Sequence, residues 1–106
     1  MAFKTHDITR YGYAFDARSG GAGSLELWTA SARVLKVNFV DDSASVPGPV
    51  LAPDLNSATA TFKRSALAGL IDMLRNEKPV TVTINNQSPG FVFVQTGLEP
   101  AGEGEA

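Results

Sequence analysis

The stretch Ser65-Ala66-Leu67-Ala68-Gly69-Leu70-Ile71-Asp72-Met73-Leu74-Arg75-Asn76, followed by Glu77-Lys78-Pro79 and by Val80 to Leu98, decides the fold class. Leu67, Leu70, Ile71 and Leu74 recur at the three-and-four spacing of a helix that buries one stripe, with Ala66 and Met73 beside it. Ser65 is placed to cap the start, Asn76 to end the helix in the left-handed conformation, and Pro79 to stop any continuation. Immediately afterwards the period changes from 3.6 to 2. Val80, Val82 and Ile84 alternate with Thr81, Thr83 and Asn85, which predicts a strand. Asn85-Asn86-Gln87-Ser88-Pro89-Gly90 then turns the chain into Phe91–Thr96. That last segment carries aromatic or valine residues on both faces, so it is expected to be central or covered. A helix that opens onto a hairpin is an α+β signature.

Upstream of the helix, the alternation predicts three strands. In Arg10–Asp16, Tyr11, Tyr13 and Phe15 share a face, and in Ser24–Thr29 Leu25 and Leu27 oppose Glu26 and Trp28. Arg33–Asp41 is the longest, with Leu35, Val37 and Phe39 inward and Lys36 and Asn38 outward. Short connections, one of them the flexible Ser19-Gly20-Gly21-Ala22-Gly23, suggest an antiparallel meander. Asp42–Ser57, with Pro47, Pro49 and Pro53, reads as a long connection, and Ala58–Phe62 as a short strand before the helix. A helix between the third and fourth strands suits an OB-like barrel. A small antiparallel open sheet with one helix across it suits the same order, and its uncovered face would then need a partner.

The chain has 106 residues, the size of one domain, here assigned to residues 1–98, with 99–106 as a disordered acidic tail. Such a chain buries roughly two-thirds of its unfolded surface, so it needs no staple. It contains no cysteine, which removes disulfides, thiolate metal sites and cysteine nucleophiles. The N-terminal residues show no apolar signal region, and the longest apolar run, Phe91–Val94, is too short to span a bilayer. The expected localisation is therefore cytoplasmic, with no membrane partner. Formal charge is −2, from nine basic and eleven acidic residues, and without the tail the balance is nine to eight. That balance gives no basic excess of the kind that marks nucleic-acid binding.

The run Leu74-Arg75-Asn76-Glu77-Lys78-Pro79-Val80, with the ending Leu98-Glu99-Pro100-Ala101-Gly102-Glu103-Gly104-Glu105, resembles a group of small bacterial proteins of unassigned function. The resemblance implies bacterial origin and brings no active-site residue with it.

No catalytic constellation, metal-ligand spacing or phosphate loop is visible. His6, the single histidine, is followed by Asp7, but neighbours on an extended chain point opposite ways, so both read as part of a solvated terminus. Asp41-Asp42-Ser43 reads as an acidic strand end, lacking the spaced oxygens of a calcium loop. Asn86-Gln87-Ser88 is a glycosylation sequon that matters only after secretion. Lys63 and Arg64 oppose the helix dipole and, with the first free N–H groups, mark a possible anion site. Tyr11, Tyr13 and Trp28, with Lys36, mark a possible stacking surface for bases or sugars. The expected function is a non-enzymatic protein-interaction or assembly module without cofactor, acting through a protein partner or as a homo-oligomer. The alternative is an OB-like module for single-stranded nucleic acid or sugar, resting on Lys63, Arg64, Tyr11, Tyr13, Trp28 and Lys36.

Overall fold

The computed structural model describes residues 2–17 and 23–97, so both the glycine turn before Gly23 and the acidic tail lie outside the described residues. Eight strands and one helix follow in order: β1 (Phe3–Asp7), β2 (Arg10–Phe15), β3 (Gly23–Trp28), β4 (Arg33–Val40), β5 (Val50–Leu51), β6 (Ala58–Lys63), α1 (Leu67–Asn76), β7 (Val80–Asn85) and β8 (Phe91–Thr96). They form a three-stranded sheet, β1-β7-β8, and a five-stranded sheet, β2-β3-β4-β6-β5. The α+β class holds, while the barrel does not close. β8 does not pair with β5 or β6, so each sheet keeps two edges. The expected meander is present as β2-β3-β4, antiparallel throughout. β6 then runs parallel to β4, and the 42–57 connection that makes this crossover carries β5 on its way.

One continuous extended segment joins the two sheets. Ile8 N–H donates to the Val80 carbonyl at 2.9 Å, prolonging the β1–β7 ladder, and Thr9 N–H donates to the Trp28 carbonyl at 2.8 Å, entering β2–β3. β1 replaces the solvated terminus expected from sequence. Its inward positions are Lys4 and His6, which pair with Ile84 and Val82. These two side chains bond to Asn56 Oδ1 and to the Leu55 carbonyl, each at 3.0 Å, so the strand is held without an apolar alternation.

The core lies between the sheets. Leu25, Leu27, Leu35 and Val37 from one sheet meet Val82 and Ile84 from the other, all fully buried. Leu70 closes the cluster from α1, with Leu67, Ile71 and Leu74 packed around it, which is the face the sequence predicts. A bulge between Leu27 and Trp28 lets Val34 and Leu35 both turn inward, so Arg33 stays on the outer face and bonds Glu26 at 2.6 Å.

Two helix-end expectations are corrected. α1 begins at Leu67 after a single 3-10 turn, Arg64–Ala66, and Ser65 makes no side-chain cap. Its N–H is instead bonded by Asp42 Oδ1 at 2.9 Å, from the distant end of β4. At the other end the chain leaves the helix through Glu77 in an extended conformation (φ −107°), and Asn76 Nδ2 bonds Asp72 Oδ1 within the last turn. A third correction concerns β8, which is an edge strand rather than central or covered, with Phe93 52% exposed. Among the described residues no helix is long and apolar enough to cross a membrane.

Candidate functional site

Strand alternation divides the six residues that sequence groups as one binding set. Tyr11 pairs with Leu27 and Tyr13 with Leu25, and directly paired residues share a sheet face, so both tyrosines lie on the core side. Tyr11 is half-buried against the core. Tyr13 is 48% exposed and meets Phe15 edge-on with ring centroids 5.9 Å apart. Trp28, Lys36 and Lys63 lie on the opposite face of the same sheet, since Leu27, Leu35 and Phe62 beside them turn to the core. The Arg10 guanidinium sits over the Trp28 ring, 5.1 Å from its centroid. No platform combining all three aromatics exists.

Arg64 faces Asp41 at 3.5 Å, and Asp42 bonds the Ser65 N–H. Two carboxylates of the chain itself therefore occupy the start of the helix where sequence suggests an external anion. His6 is half-buried and bonded through Nε2 to the Leu55 carbonyl, with Asp7 on the other face of β1. Among the described residues no group of three potential metal ligands occurs, and no polar or charged side chain is buried.

A hollow with a partly apolar lining lies where β1 passes into β2. It holds about 610 Å³ between Ile8, Tyr11, Leu74 and Val80, with Asp7 and Lys78 among the charges at its rim. Sequence gives no sign of it, because its walls come from two segments more than sixty residues apart, 7–11 and 74–80.

The free edges differ more sharply. Ile8 N–H to Val80 O and Asn86 N–H to Ala2 O show that the even-numbered residues of β7 bond β1. Gly97 N–H to Pro79 O shows that the odd-numbered ones bond β8. In an antiparallel ladder this alternation continues along the strand. Val92, Val94 and Thr96 thus aim N–H and C=O away from β7, towards the open edge. No other described residue pairs with them. The other three edges are guarded. β1 carries Lys4 and Asp7, β2 carries Arg10, and β5 is two residues long. Charges and shortness are standard protections against edge pairing. β8, Phe-Val-Phe-Val-Gln-Thr, has no charge and no proline. On the outer face of its sheet stand Phe3, Phe91 and Phe93, with Thr5, Thr81 and Thr83, and Asp7 is the single charge of that face. The rings of Phe91 and Phe93 are 5.1 Å apart.

The chain matches no protein-family model, no curated protein and no solved structure.

Proposed function

We propose that the protein is a non-enzymatic assembly module that joins a second copy of itself through the free edge of β8. The observation that carries this reading is that β8 alone, among the edges described, lacks a charge, a proline or extreme shortness. An unprotected edge is a template for another strand. The same strand from a second copy is self-complementary in the antiparallel sense, because outward N–H and C=O groups at Val92, Val94 and Thr96 repeat on both. No like charges meet across such a two-fold contact, and the outer faces of the two three-stranded sheets become one continuous surface. The 46–49 loop borders Phe91 and Val92 across a hollow of about 190 Å³, so pairing centres on the Val94–Thr96 portion. A one-strand contact with an aromatic flank is small beside the ~800 Å² per partner of a standard interface, so association depends on concentration.

Light scattering across a concentration range tests this. The mass of the native chain should climb from monomer towards dimer. Val94→Pro removes one outward N–H without touching the β7 ladder, and Phe93→Lys places a charge on the exposed side of the strand. Both variants should be folded monomers by circular dichroism. A native mass that stays monomeric overturns the proposal, and so does a dimer that survives both substitutions.

A further inference from the structure

Residues that are scattered through the sequence converge on the outer face of the five-stranded sheet. Arg10 and Arg33 flank Trp28 at one end, Lys36 stands in the middle of β4, and Lys63 closes the other end beside Val40. Four of the nine cations of a net-negative chain thus share one face. Within the strands that face carries one acid, Glu26, and its carboxylate is bonded to Arg33. Asp16 stands at the margin, just past the end of β2. Lys36 and Lys63 form no ion pair with another described residue. Between the cations the floor is low and polar: Ser24, Asn38, Thr59 and Thr61, with Gly12 opening onto free space.

From this arrangement we infer that the outer face of the five-stranded sheet binds single-stranded nucleic acid. The cations run along β4 and β6 for roughly 20 Å at about 3.3 Å per residue, a track for several successive phosphates. The Arg10 guanidinium lies over the Trp28 ring, which leaves its outer side as a plane for a base, and Arg planes stack bases as aromatic rings do. Ser24, Asn38 and the threonines offer donors and acceptors to base edges or 2′-hydroxyls. A sheet face with short polar residues between its cations presents no helix or loop to enter a duplex groove, so it suits an extended strand better than a double helix. This surface lies on the other sheet from β8, and the inference does not depend on self-association.

Fluorescence anisotropy with labelled oligothymidylate and oligouridylate of about 12 nucleotides tests it, beside a duplex of the same length. At about 50 mM salt both single strands should bind, with log K falling against log salt at a slope of about −3, as roughly four single-strand phosphate contacts require. Lys36→Glu and Lys63→Glu should each weaken binding at least ~10-fold and flatten the slope by about 0.7 or more. Arg75→Glu, on the exposed helix end away from this face, should change it far less. Thermal melts confirm that each variant is folded, and with two separate positions the loss of one variant to misfolding leaves the other informative. Absence of binding to both single strands overturns the inference. It is equally overturned if the duplex binds as tightly, or if Arg75→Glu is as damaging as the two lysine reversals.

Discussion

Leu70 reaches the core from the middle of α1, where it meets leucines and valines contributed by both sheets. Leu70→Ala leaves a cavity in this core cluster and should cost about 2–5 kcal/mol, read from the urea midpoint at unchanged m. This residue was legible from spacing alone, since a buried apolar stripe needs nothing beyond the helix period. Asp42 was not. Its partner, the Ser65 N–H, is 23 residues away, and only the parallel β4–β6 crossover brings them together. Asp42→Ala should cost about 1 kcal/mol, as loss of a helix-start acceptor does, and Asp42→Asn should recover most of it because an amide oxygen accepts the same bond. His6 shows the converse failure: in sequence it reads as part of a solvated terminus, and it proves to be a strap onto the Leu55 carbonyl.

Among the elements, α1, β2, β3, β4, β6 and β7 were readable because each keeps one apolar face against the core. β1 escaped because Lys4 and His6 occupy its inward positions, so hydrogen bonds replace the alternation that sequence reading depends on. β8 was recognised as a strand but misplaced. Apolar residues on both faces suggested burial on both sides, whereas the order β1-β7-β8 leaves its outer face open. The hairpin that leads into β8 turns at Gly90, whose φ is +91°, and a Cβ there would stand 3.2 Å from Leu51 Cδ1. Gly90→Ala should therefore lower stability by about 1–2 kcal/mol, from backbone strain with crowding added. Urea titration of this variant beside Ala68→Gly, an exposed helix position, separates the turn-specific cost from the ~1 kcal/mol that glycine costs a helix.

At the scale of the whole molecule, the open barrel has a consequence that a closed one would lack. Two sheets joined through one bent strand carry two outer faces of different chemistry. One bears three phenylalanines beside an uncharged edge, and the other bears four cations around a low polar floor. The sequence concealed this division. Tyr11, Tyr13, Trp28 and Lys36 read as one set because strand assignment gives alternation but not which face of which sheet each residue joins. The net charge of −2 likewise hid the basic face, because the acids lie elsewhere along the chain. If the two surfaces act as proposed, they should be separable by mutation. Val94→Pro should abolish the rise of mass with concentration and leave oligonucleotide affinity within about twofold, because distant sites without shared partners behave additively. Lys36→Glu should do the reverse. The double variant should combine the two losses without further interaction, measured by light scattering and anisotropy on the same samples. A strong coupling, in which Val94→Pro also removes nucleic-acid binding, would mean that the strand is held by both copies together, and the basic face would then be half of a site completed by assembly.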